Sequence, residues 1–128
     1  MTRQRILVVD DEPDIVETLS FRLEAAGYDV ISASDGLEGL EKARSEEPDL
    51  IILDLMLPKM DGYQVCRLLK FDEKYSNIPV LMLTARTQET DKITGLKTGA
   101  DEYMTKPFDS QQLLGTVKDM LAAKAGLK

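Results

Sequence analysis

A chain of 128 residues, 43% of them hydrophobic, is long enough for one domain with a real core and too apolar for a disordered segment. Its 16 basic and 23 acidic side chains leave a net charge of −7, which disfavours direct contact with nucleic acid or anionic lipid. No apolar run approaches the roughly 20 residues of a membrane span, the start MTRQRILVVDD meets acidic residues too soon for a secretory signal, and the one cysteine, Cys66, excludes an internal disulfide and a Cys-based zinc site, so the chain reads as cytoplasmic.

Short apolar runs alternate with helical patterns. Ile6–Val9 predicts the first strand, and Ile15, Leu19, Leu23 and Ala26 put an apolar stripe on a helix that Gly27 stops. Val30–Ile31 predicts the second strand. Asp35 and Glu38 form a capping box for the second helix, which Pro48 closes. Leu50–Leu53 is the third strand, followed by a third helix through Val65, Leu68, Leu69 and Asp72. Val80–Leu83 and Tyr103–Met104 are the fourth and fifth strands, with a helix through Ile93, Leu96 and Ala100 between them. A fifth helix is capped by Asp109 with Gln112 and faces Leu113, Val117, Met120 and Leu121 inward.

Five β-α units without repeats or long linkers predict an α/β fold, a doubly wound five-stranded parallel sheet with helices on both faces. The common strand order for such a sheet is 2-1-3-4-5. The whole chain is then one domain, 1–128, with its core at about 5–123. Ligands of such folds bind at the carboxyl ends of the strands, so the residues just after each strand are the candidates.

Those residues are Asp10 and Asp11 after the first strand, Asp54 after the third, Thr84 and Ala85 after the fourth, and Lys106-Pro107 after the fifth. Taken singly, each has an ordinary explanation. Asp10-Asp11 cap a helix, Asp54 sits in a solvated loop, Thr84 ends a strand, and Lys106 is a surface lysine. Together they converge on one sheet edge. Two carboxylates about 4 Å apart repel by roughly 4 kcal/mol at an effective dielectric of 20, so three together are strained or protonated unless a cation joins them. The chain has no histidine, and an all-oxygen set favours Mg²⁺, Mn²⁺ or Ca²⁺. A carboxylate beside such an ion and a lysine is suited to receive a phosphoryl group. Asp54 is then the nucleophile, with Lys106 and Thr84 as partners of the phosphoryl oxygens. Without histidine the chain cannot itself carry phosphohistidine, so any such donor is another molecule.

VVDDE, LDLMLPKMDG, LTA, GADEY and TKPF, in this order and spacing, resemble the receiver domain of two-component response regulators, from about Ile6 to Leu121. The resemblance implies the flavodoxin-like fold, Asp54 as phosphoacceptor, and Mg²⁺ (or Mn²⁺) held by Asp11, by Asp10 through water, by Asp54 and by the backbone carbonyl of Met56. It also implies a cis peptide before Pro107. Pro58 and Gly62 resemble the loop after the phosphorylation site, where Gly relieves backbone strain. Thr84 and Tyr103 are implied as the switch that alters the face of helix four, strand five and helix five. The implied partners are a sensor histidine kinase or histidine phosphotransfer protein, and a downstream effector or an output domain not in this chain.

The resemblance further implies a domain that catalyses only its own phosphorylation and dephosphorylation, without direct nucleic-acid or membrane binding. Met56 and Arg86 offer no carboxamide or carboxylate to orient water, so slow self-hydrolysis is expected. Thr94 and Thr116 stand where basic residues are frequent in the winged-helix branch, so the expected state is a monomer or a phosphorylation-dependent dimer, with Lys118 the nearby base. Other readings are a haloacid-dehalogenase-type phosphohydrolase, which needs an acid where Met56 stands, an FMN carrier, whose phosphate DDEPD would repel, and a receiver used purely for docking.

Overall fold

The uninterrupted apolar runs become the centre of a sheet because both of their faces must be covered. A computed structural model describes residues 3–85 and 99–126. Within them the strands are β1 (Arg5–Val9), β2 (Asp29–Ala33), β3 (Leu50–Asp54), β4 (Val80–Ala85) and β5 (Glu102–Lys106). The described helices are α1 (Pro13–Ala25), α2 (Gly36–Glu46), α3 (Gly62–Lys70) and α4 (Ser110–Gly126). All strand pairs are parallel and the order is β2-β1-β3-β4-β5, as expected. Ile93, Leu96, Thr94 and Arg86 lie outside the described residues, so α4 corresponds to the fifth helix of the sequence reading.

Strand alternation divides the apolar residues between two cores. Leu7, Val9, Ile51, Leu53, Val80 and Met82 pack on one side with Val65, Cys66 and Leu69 of α3 and Leu40 and Ala43 of α2. Ile6, Val8, Leu50, Ile52, Leu81 and Leu83 pack on the other with Leu19 and Leu23 of α1 and Leu113, Val117 and Leu121 of α4. β1, β3 and β4 are almost wholly buried, whereas the edge strands β2 and β5 are half-exposed.

Several local expectations shift. Ala26 is not part of the α1 stripe; it is the exposed C-cap residue, and Gly27 takes φ +103° after it. Asp35 accepts a bond from the Glu38 amide, but the Glu38 side chain accepts from Ser34, one residue short of closing a box. The reciprocal box occurs at α3, between Asp61 and Gln64. Leu68 faces solvent and Cys66 takes its place inside, while Asp72 lies past the helix end. Asp109 caps α4 by accepting from the Gln111 and Gln112 amides, and Met120 is half-buried. No helix among the described residues is long and apolar enough to cross a membrane.

Candidate functional site

Parallel strands bring their carboxyl ends to one edge, and the register there decides which side chains meet. Val9 pairs with Leu53, and Asp10 follows it directly, its amide donating to the Ala33 carbonyl at 3.1 Å. Asp54 ends β3 opposite Leu83, so Thr84 stands one residue further along β4, opposite Thr105. Lys106 ends β5 opposite Ala85. The Lys106–Pro107 peptide is cis.

Asp10, Asp54 and Thr84 are the buried polar residues of the described chain. Burial of a carboxylate demands a partner, and Lys106 supplies it. Its Nζ lies 2.9 Å from Asp10 Oδ2, 3.1 Å from Glu12 Oε1 and 3.4 Å from Asp54 Oδ2. The second Asp10 oxygen accepts from the Glu12 amide at 2.9 Å. Thr84 Oγ1 is buried and has no hydrogen-bond partner among the described residues. That leaves a hydroxyl with capacity to spare near the carboxyl end of β4.

The electrostatics follow from this crowding. Desolvation, then repulsion from Asp10, pushes the Asp54 carboxyl up to about 6, against the lowering effects of Lys106 and the Met56 amide. Burial works to lower the Lys106 ammonium, but bonds and charges from Asp10, Asp54 and Glu12 outweigh it and hold it well above its usual value. Lys106 is therefore charged at any physiological pH.

Ligand atoms of Asp10, Asp11, Glu12 and Asp54 all lie within 4.8 Å of one another. Three of them were legible as a cluster; Glu12 was not, because the residue after an acidic pair at a helix start reads as an ordinary cap. The set contains oxygen donors alone, fitting a hard divalent cation rather than zinc or copper. Met56 stands two residues past Asp54 and is 62% exposed.

Gly62 holds the loop after Asp54 close. A Cβ there would stand 2.5 Å from the Asp54 carbonyl oxygen and 2.9 Å from Leu55 Cα. The expected relief of backbone strain is therefore replaced by close approach. The left-handed residue of this loop is Lys59, with φ 69°. Tyr103 lies in β5, packed against the core that contains Cys66, with Tyr63 beside it. Burial first, then Tyr63 and Cys66, pushes its hydroxyl up to about 12.

Residues 6–118 match the family model of the response regulator receiver domain. The alkaline phosphatase synthesis transcriptional regulatory protein PhoP of Bacillus subtilis (strain 168) is 54% identical over 92% of this chain and 48% of its own length. The DNA-binding dual master transcriptional regulator RpaA of Synechocystis sp. is 54% identical over 91% of the chain and 48% of its own. The chain thus spans about half the length of these curated relatives. The expected lack of direct nucleic-acid contact rests on the charge of this segment and gains no support from such relatives. Among solved structures, chemotaxis response regulator CheY4 of Vibrio cholerae superposes with TM-score 0.87 at 36% identity, covering 93% of this chain and 99% of that one. A CheY-like receiver domain protein from Methanospirillum hungatei JF-1 gives 0.92 at 29% identity, covering 99% and 100%. With the strand order, the acidic edge and the family match in agreement, the chain belongs to the receiver domain family of two-component response regulators.

Proposed function

We propose that residues 1–128 form one signalling domain, core about 5–123, which takes a phosphoryl group onto Asp54 from a phosphohistidine of a sensor kinase or histidine phosphotransfer protein in the cytoplasm. The observation that carries this reading is the Lys106 ammonium, set between two buried carboxylates, Asp10 and Asp54, at the carboxyl edge of the sheet. An oxygen of Asp54 attacks phosphorus. The phosphorus–nitrogen bond breaks, its electron pair goes to the donor imidazole, and that nitrogen takes a proton from solvent. Lys106 stabilises one phosphoryl oxygen and the Thr84 hydroxyl, which lacks another partner among the described residues, donates to a second.

Asp11, Asp54, the Met56 carbonyl and, through water, Asp10 would hold the cation, Mg²⁺ or Mn²⁺. When bound, it neutralises the charge gathered by the carboxylates and the incoming phosphoryl oxygens. The chemistry is confined to the domain's own phosphorylation and dephosphorylation. Thr84 drawn toward the phosphoryl group, with Tyr103 following, forms the switch; it biases two packings of the face made by β5, α4 and the fourth helix of the sequence reading, which lies largely outside the described residues, and that face is read by an effector or output domain. Neither nucleic acid nor membrane is contacted directly, and the domain is a monomer or a dimer formed on phosphorylation. Incubation with acetyl phosphate and Mg²⁺ should add the mass of one phosphoryl group, and Asp54→Asn should abolish the increment. An unchanged mass in the native chain, or addition in the variant, overturns the reading.

A further inference from the structure

An ammonium group has three N–H donors, and Lys106 has three carboxylates around it, Asp10 at 2.9 Å, Glu12 at 3.1 Å and Asp54 at 3.4 Å. Of these contacts the one to Glu12 has hydrogen-bond geometry, whereas those to Asp10 and Asp54 are ion pairs and Asp10 Oδ2 receives no hydrogen bond. The N–H aimed at Glu12 is thus the directed donor for which a phosphoryl oxygen competes. The three partners differ in what release would cost. The Asp10 side chain is wholly buried and that of Asp54 is 7% exposed, so without a cation either would be left as an uncompensated charge out of water, and with one both face the metal. The Glu12 side chain is 59% exposed and returns to solvent when released.

Nothing else among the described residues holds the Glu12 carboxylate. Glu12 is the N-cap residue of α1, yet its side chain makes no capping bond; its backbone carbonyl accepts from the Ile15 and Val16 amides instead. Its carboxylate reaches across 94 positions of sequence to Lys106. Glutamate is a poor cap, and a shorter acid there would turn onto the helix amides. The longer side chain is what allows the reach.

We infer that Glu12 is a positioning residue, an exchangeable counter-ion that holds Lys106 at the pocket mouth and gives up its N–H to the arriving phosphoryl oxygen. This inference rests on Asp54 being the phosphoacceptor. Its consequence is that Glu12 stabilises the empty pocket relative to the filled one. Removing the contact favours the filled pocket, and does so through Lys106.

The experiment titrates the native chain and its variants with trifluoroberyllate, a stand-in for the phosphoryl group, at saturating Mg²⁺, followed by calorimetry or fluorine resonance. Glu12→Gln and Glu12→Asp are each expected to bind about two- to fivefold more tightly than the native chain, the range of an exposed ion pair. Glu12→Asp keeps the charge but moves it to the helix start, so tightening there separates the contact from the charge. In a Lys106→Met background, Glu12→Gln is expected to change nothing. With acetyl phosphate, the Glu12 variants should lower KM more than they raise kcat. Equal or weaker trifluoroberyllate binding by both Glu12 variants overturns the inference, as does equal tightening without Lys106. A tenfold loss of Mg²⁺ affinity with unchanged trifluoroberyllate binding makes Glu12 a metal ligand instead. Failure of the native chain to bind trifluoroberyllate removes the phosphoacceptor reading itself, and the inference with it.

Discussion

The shortest ion pair in the acidic pocket joins Lys106 to Asp10, at 2.9 Å, with the Asp10 side chain fully out of water. The lysine thus has a structural duty before any phosphoryl group arrives. It offsets a buried charge that the fold would otherwise leave uncompensated. This duty and the proposed contact to a phosphoryl oxygen meet in one side chain, which makes its removal informative, because a divalent cation can replace the first role and not the second.

Lys106→Met should therefore lower the stability of the metal-free protein by about 3–5 kcal/mol, the range for breaking a buried pair. Millimolar Mg²⁺ should recover much of that loss. Phosphoryl acceptance from acetyl phosphate should remain depressed by at least tenfold with Mg²⁺ present. Urea unfolding with and without Mg²⁺ checks the first statement, and timed mass measurement checks the second.

The raised Asp54 carboxyl gives a pH dependence with a definite sign. Its value is about 6 in the folded chain against 3.8 ordinarily. Between those values the folded state holds a proton that the unfolded state has released, so stability falls as pH rises from about 4 to about 6. Linkage over such a shift amounts to at most about 3 kcal/mol. Lys106, raised above its usual value, stays protonated throughout that window. Glu38, lowered chiefly by the Ser34 amide and Lys42, works in the opposite sense. In metal-free buffer the unfolding midpoint should decline across this window, and Asp54→Asn should abolish the decline. Saturating Mg²⁺ should weaken or reverse it, since the cation favours the ionised carboxylate. A native chain without such a decline would contradict the strained pocket.

How much of this was readable beforehand depends on the range of the forces involved. The strand order and the cluster of Asp10, Asp11, Asp54, Thr84 and Lys106 follow from apolar periodicity and from strand ends, which are local signals. The contact of Glu12 and the close approach at Gly62 were hidden, because each depends on a partner brought near by the fold. Glu12 meets Lys106 from the far end of the chain, and Gly62 meets the backbone of Asp54 across a loop. The swap of Leu68 for Cys66 on the inner face of α3 was hidden for another reason. Hydropathy marks both as apolar, and the choice is set by the helix phase that the Asp61–Gln64 box fixes.

The opposite edge of the sheet carries a second lysine that no pattern announced. Lys70 Nζ lies 2.7 Å from Asp101 Oδ2 and donates to the Ser76 and Ile78 carbonyls at 3.1 and 2.7 Å. Asp101 Oδ2 also accepts from the Val80 amide at 2.8 Å. The end of α3, the start of β4 and the approach to β5 are thus tied at one ammonium. Lys70→Met should cost about 1–3 kcal/mol by leaving half-buried carbonyls without a donor. Because the acidic pocket lies at the other edge, Mg²⁺ affinity should stay within about twofold. Chemical denaturation and calorimetric Mg²⁺ titration of the same variant test both halves.

Met56 offers a way to change the lifetime of the phosphorylated form without touching its formation. Its side chain is exposed, whereas its amide and carbonyl belong to the backbone and survive substitution. A thioether neither donates nor accepts strongly, so on the proposed reading it leaves an attacking water unoriented and shields the phosphoryl group with apolar surface. Arg86, the other residue expected to border that path, lies outside the described chain. Met56→Asn supplies a carboxamide that can hold water near phosphorus, and decay of the phosphorylated form should quicken by about tenfold, the scale of one net hydrogen bond. Stability should move by less than about 0.5 kcal/mol, because the side chain is on the surface. Formation from acetyl phosphate should be nearly unchanged, since Asp54, Thr84 and Lys106 are untouched. Loss of label after removal of the donor gives the decay directly. Decay within seconds in the native chain would show that the shielding attributed to Met56 does not operate.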